Sequence, residues 1–87
     1  MIKLIKHGNN ETEISNGNIP VESVFFSYST AVAGIDEKGF WKTDKFYSTT
    51  TSKHINQWLR KNLAFEKARI IPQKEVEEKL KVWWFYS

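Results

Sequence analysis

An α+β domain is the fold this sequence predicts: a small antiparallel sheet of three to four strands, one helix packed on it and a second short C-terminal helix. Three observations carry that expectation. Val21 to Ile35 is rich in β-branched and aromatic residues with alternating Val24, Phe26 and Tyr28. Thr50-Thr51-Ser52 offers N-cap hydroxyls just ahead of Ile55, Trp58, Leu59 and Leu63, an apolar stripe at helical spacing. Pro72 then precedes Gln73 to Lys81, a run of good helix formers with Val76 and Leu80 four residues apart.

Taken in order, Met1 to His7 alternates apolar and basic residues and reads as a short strand, and Gly8-Asn9-Asn10 reads as a turn. Glu11 to Ser15 is a weaker returning strand. Asn16-Gly17-Asn18 is a second turn, and Pro20 disfavours a strand interior. Val21 to Ile35 is too long for one flat strand, so a bulge or bend is expected near Thr30 or Gly34. Asp36 to Gly39 is a hairpin loop and Phe40 to Phe46 its returning strand. The first helix covers 51–61. Ala68 to Ile71 is a brief extended piece, the second helix spans 72–81, and Trp83-Trp84-Phe85-Tyr86 ends the chain.

Eighty-seven residues make a single domain, 1–87, whose core must lean on aromatic rings, which are 15% of the chain. With no cysteine there is neither a disulfide framework nor a thiolate metal site, and a reducing cytoplasm suits the chain. No run approaches a membrane span or a signal-peptide core. Charge is unevenly spread. Residues 1–37 carry two lysines against five acids, a balance of −3. Residues 38–65 carry Lys38, Lys42, Lys45, Lys53, Arg60 and Lys61 against Asp44, a balance of +5. That middle third is the part that attracts polyanions.

The hydroxyl run Thr49, Thr50, Thr51 and Ser52 ahead of Lys53 either caps the helix or receives a phosphate at the helix N-terminus. It lacks P-loop glycines, so nucleotide hydrolysis is not expected. Cations beside Phe40, Trp41, Phe46, Tyr47 and Trp58 are the combination single-strand binders use, though most of these rings belong to the core of so small a domain. Within Phe40/Trp41 and Phe46/Tyr47, one ring of each pair is expected outside. His54 suits acid–base work, but no paired carboxylates, nucleophile set or metal-ligand spacing accompanies it. No catalytic residue, metal or cofactor is therefore assigned. Trp83, Trp84, Phe85 and Tyr86 serve either the core or a partner surface.

The pattern Phe26-Ser27-Tyr28-Ser29-Thr30 with Val32-Ala33, then Tyr47-Ser48-Thr49-Thr50-Thr51-Ser52-Lys53-His54-Ile55-Asn56-Gln57-Trp58-Leu59, resembles a small domain of unknown function found in short phage and plasmid proteins. The match covers about residues 24–60. It implies a mobile-element origin, a non-enzymatic accessory role and work in the cytoplasm of a bacterial host, and it supplies no site residues. The expected function is nucleic-acid binding through Lys42, Lys45, Lys53, His54, Arg60 and Lys61, with Thr49 to Ser52 taking phosphate. The alternative is a protein inhibitor of anti-defence type. It would bind a host or defence protein through the aromatic tail or a sheet edge, with a homodimer as a further option.

Overall fold

The computed structural model describes residues 2–16 and 22–86, with the side chains of Ile2, Asn16, Glu22 and those beyond Lys81 outside the description. The turn read at Gly17-Asn18, together with Pro20, lies outside the described residues. Six strands and two helices follow in the order β1 (Ile2–Gly8), β2 (Glu11–Asn16), β3 (Glu22–Ser27), β4 (Thr30–Asp36), β5 (Gly39–Thr43), α1 (Thr49–Lys61), β6 (Arg69–Ile71) and α2 (Gln73–Tyr86). The strands form one sheet in sequence order, antiparallel from β1 to β5 and parallel between β5 and β6. The fold is α+β, but the expected antiparallel sheet of three to four strands is corrected to a mixed sheet of six.

Two features enlarge the sheet. The long β segment is two strands rather than one bent strand, because Tyr28 and Ser29 form a two-residue hairpin loop with Ser27 paired to Thr30. Tyr28 takes φ 57, the positive value that such loops need and that glycine or asparagine supplies more cheaply. The bulge falls at Val32, since Phe25 pairs with Ala33 and Phe26 with Ala31. Val32 and Ala33 therefore both join the same apolar cluster. The second feature is Arg69 to Ile71, which joins the β5 edge through Trp41–Arg69, Lys42–Ile70 and Thr43–Ile71. A parallel neighbour requires a crossover, and α1 is that crossover.

The helices cover opposite faces. Phe25, Val32, Ala33, Ile55, Trp58, Leu59 and Ala64 cluster beneath α1, while Val24, Ala31, Trp41, Ile71 and Val76 cluster beneath α2. Alternation along β3 sends Val24 one way and Phe25 the other. Trp41, Trp58 and Phe25 are the largest fully buried side chains, so three rings dominate the core as composition implied. Asp36 clamps the far end of the sheet: Oδ1 accepts from Arg69 Nη2 at 2.6 Å and from the Lys38 amide at 2.8 Å, and Oδ2 accepts from Lys79 Nζ at 2.6 Å.

The boundaries of α1 differ from expectation at both ends. The cap is Ser48, not Thr50, Thr51 or Ser52. Ser48 is extended at φ −167 and ψ 165, and its Oγ accepts from the Thr51 amide at 3.1 Å. Thr51 is instead buried against the sheet. Ser48→Ala should cost about 1 kcal/mol in chemical denaturation, whereas Thr50→Ala should cost less. At the other end the Leu63 amide bonds Arg60 O at 3.0 Å and the Ala64 amide bonds Leu59 O at 2.8 Å. This is a Schellman closure with Leu63 at φ 57. The turn throws Leu63 out to 83% exposure, so it leaves the apolar stripe, and Ala64 is buried in its place. The second helix runs past the expected 81 and takes in Trp83 to Tyr86, whose side chains lie outside the described residues.

Candidate nucleic-acid interface

The basic third of the chain is folded around α1, and α1 has two unlike flanks. On the first, β5 ends at Thr43, whose Oγ1 accepts from the Lys45 amide at 3.1 Å and turns the chain off the sheet. The expected strand to Phe46 therefore stops short. Alternation no longer applies beyond Thr43, and Phe46 and Tyr47 are both outside, at 69% and 36% exposure. At the earlier pair Trp41 is buried and Phe40 is half-buried against Trp58, so neither is an exposed stacking ring.

Between this turn and α1 lies a groove of about 260 Å³ lined by Lys42, Lys45, Phe46, Ser52 and Asn56, with Asp44 as its acid. The cations sit on aromatic faces. Lys45 Nζ lies 5.0 Å from the Tyr47 ring centre, and Lys42 Nζ lies 5.7 Å from that of Phe65. The Arg60 guanidinium lies 4.4 Å from the Phe65 ring centre. These separations fit cation–π attraction, which holds the cations without neutralising them. Burial, then the charge of Glu77, raises the Tyr47 phenol pKa. Lys53 is exposed on the outer face of α1.

The second flank faces β1 and the glutamate-bearing strand β2. His7 is the extra residue of a bulge between Lys6 and Gly8. The Lys61 ammonium can only donate, so its 3.3 Å contact makes His7 Nδ1 an acceptor and leaves Nε2–H to donate to Glu13 Oε1 at 2.8 Å. Trp58 Nε1 donates to the same oxygen at 3.1 Å. Beside them the Ser27 hydroxyl donates to Thr51 Oγ1 at 3.1 Å, so the 2.9 Å contact with His54 Nδ1 has the imidazole N–H as donor. His54 Nε2 then faces Glu11 Oε2 at 3.9 Å. Ser27, His54 and Glu11 have the residue types of a nucleophilic triad. However, Ser27 is 2% exposed and its proton is committed to Thr51, so no substrate reaches it. The cluster fastens α1 to β1–β3 with charge-assisted bonds.

Burial alone would raise the Glu13 carboxyl pKa, but hydrogen bonds from Trp58, His7 and Ser23 outweigh it and hold the group below its ordinary 4.5. Asp36 is likewise held below 3.8, with bonds from Lys79, Arg69 and the Lys38 amide overcoming burial. A carboxyl lowered on folding contributes stability that is complete above its unfolded pKa and disappears as pH falls through the folded one. Melting temperature should therefore fall progressively as pH drops below about 4.5. Glu13→Gln should flatten part of that decline in a series of melts.

The six basic residues assigned from sequence are thus divided. Lys42 and Lys45 line the groove, Arg60 reaches it only through the Phe65 ring, Lys53 is exposed on the outer face of α1, and His54 and Lys61 turn to the second flank. Of the hydroxyls, Ser52 lines the groove and Thr51 is buried, while Thr49 and Thr50 are exposed. Sequence reasoning missed Phe65, which contributes two of the cation–ring pairs, and missed His7, Glu11, Glu13 and Ser27. Alternation along β2 and β3 places Glu11 and Glu13 on one face and Ser27 on the face of Phe25, a signal that could have grouped them. Among the described residues no group of three or more His, Asp or Glu side chains could hold a metal. No described helix is long and apolar enough to cross a membrane.

A family model described as "Family of unknown function (DUF8033)" matches residues 2–78. The chain belongs to the DUF8033 family. The matched span goes beyond residues 24–60, where the resemblance to a small domain of unknown function lay. It takes in all six strands, α1 and the start of α2. The groove and the polar cluster therefore both lie within the DUF8033 unit. We find no match among curated proteins and none among solved structures.

Proposed function

We propose that this DUF8033 domain is a non-enzymatic nucleic-acid-binding protein whose contact surface is the groove between β5 and α1. One observation carries the reading: Lys42, Lys45 and Arg60, drawn from separate elements, converge on one groove and its flanking ring. Phosphates would be neutralised by these three cations and Lys53, with Ser52 and Asn56 as neutral hydrogen-bonding groups. An accessory role for a phage or plasmid, in the cytoplasm of a bacterial host, belongs to the same proposal and rests on the motif resemblance.

The test is salt dependence. With three to five phosphate contacts, the log–log slope of affinity against salt should lie at roughly −2 to −4. Lys53→Ala and Arg60→Ala should each weaken binding for all sequences alike and reduce the slope by just under one unit. Lys3→Ala, on β1 at the opposite edge of the sheet, is the control and should do little. Absence of binding at low salt, or identical behaviour of all three variants, refutes the proposal.

One observation favours the second reading, a protein inhibitor acting on a host or defence protein. β1 is a seven-residue edge strand with Leu4 at 69% exposure, a form that accepts a partner strand, including one from a second copy. Stoichiometric retention of a host protein after nuclease treatment, lost in Leu4→Lys, would move the assignment to this reading.

A further inference from the structure

We infer that the groove takes a single strand rather than a duplex, an inference that rests on the nucleic-acid reading above. A ring contributes to nucleic-acid binding chiefly by lying against the face of a base, and in a duplex those faces are already stacked. Here the exposed ring Phe46 lines the groove, and the exposed rings Tyr47 and Phe65 carry Lys45 and Lys42, the two lysines of its lining. At Phe65 the guanidinium of Arg60 lies 4.4 Å from the centre of a ring that stays 38% exposed, so an apolar ring and a planar group of donors stand together. A base that stacks there brings its phosphate toward Lys42 and Arg60.

The duplex alternative would place α1 in a major groove, reading base edges with outward Asn, Gln or Arg side chains. The side chains needed for that are turned aside. Asn56 lines the groove wall, Gln57 lines the opposite cleft with His7 and Glu11, and Arg60 lies on Phe65. Gln57, Arg60 and Lys61 are exposed as well, but Lys53 is an exposed cation outside both clefts, and it follows a phosphate backbone without reading it.

The geometry also bounds the length of strand. Tyr47 precedes the helix and Phe65 follows it, so the two cation-bearing rings are separated by about the length of α1. For its 13 residues that length is about 20 Å. At a stacked rise of 3.4 Å per nucleotide this is about five or six nucleotides, and fewer if the strand is stretched. The charges are unevenly placed: Asp44 lines the groove beside Lys42 and Lys45, whereas the Phe65 ring carries two cations. The Phe65 end is the tighter half of the site.

Fluorescence anisotropy of the full chain with labelled oligothymidylates of increasing length, and with duplexes of matched length, tests this. Single strands should bind at least tenfold tighter than duplexes, with the affinity per site levelling off near six nucleotides. Phe65→Ala should weaken single-strand binding by roughly tenfold or more, the loss of one stacked base, with the salt slope unchanged. Lys42→Ala should instead reduce the slope by just under one unit, and Asp44→Asn should tighten binding. Phe65→Leu keeps apolar bulk and guards against a folding defect: melting like the parent but binding like Phe65→Ala, it assigns the loss to stacking. Duplex binding as tight as single-strand binding, or no loss in Phe65→Ala, overturns the inference and leaves the nucleic-acid reading standing. Failure of every oligonucleotide to bind at low salt overturns both.

Discussion

Trp58→Ala is expected to lower folding stability by about 3–5 kcal/mol, the range for deleting a large buried ring. In a domain of this size that corresponds to a melting temperature lower by at least about 12 °C. The indole is 2% exposed, stacks on Phe25 at 5.1 Å and meets Phe40 edge-on at 5.7 Å. It also donates to Glu13, so the deletion removes a hydrogen bond from a half-buried carboxylate as well as opening a cavity. Trp58→Phe separates the two effects. It retains most of the ring contact and loses the N–H, but His7 still donates to the same Glu13 oxygen, so about 0.5–1.5 kcal/mol should remain as the cost of one lost hydrogen bond. Parent-like melting of Trp58→Ala would mean that α1 does not pack through this stripe.

Gly34→Ala is expected to be nearly as damaging. Gly34 pairs with Val24 on one side and Trp41 on the other. A methyl group there would land inside contact distance of the Ser23 carbonyl oxygen and of the buried Trp41 ring. Overpacking of this kind costs about 1–3 kcal/mol. Because one neighbour is backbone that cannot rotate away, the upper end of that range is expected. Denaturant titration of Gly34→Ala, Trp41→Phe and the double variant locates the clash. A double variant more stable than the sum of the singles assigns it to the indole, and simple additivity assigns it to the Ser23 carbonyl.

Both helices were legible in the sequence because their signals are periodic and local: Ile55, Trp58 and Leu59 at helical spacing, and Val76 with Leu80 behind Pro72. The sheet was only partly legible. The Tyr28-Ser29 turn has no Gly or Asn to mark it, since a tyrosine occupies the positive-φ position. β6 is three residues long, too short for alternation to register, and its partner β5 lies on the far side of a helix in sequence. The cap was misplaced because five consecutive residues carry hydroxyls. Which of them begins the helix depends on Thr51 docking against Ser27, a contact between α1 and β3, far apart in sequence. The candidate site divides in the same way. Spacing shows that Asn56 and Arg60 lie on a different flank of α1 from His54 and Lys61. Only the tertiary arrangement shows which flank meets the glutamates of β2 and which meets the lysines after β5.

The parallel β5–β6 pair sets an order of events. From β1 to β5 each strand bonds to its sequence neighbour, so that meander can zip by short loop closures. Joining Trp41 to Arg69 must first close the whole segment containing α1. The gain is a three-residue ladder at an edge, the Arg69–Asp36 pair and one buried side chain, Ile71, a small unit to hold a long loop shut. Phe65 lies within that segment, between α1 and β6. The ring that carries Arg60 and Lys42 is therefore held in place by a part of the sheet that opens at lower free energy than the central strands. A fluctuation that frees β6 dissolves one end of the groove while the meander beneath it stays intact.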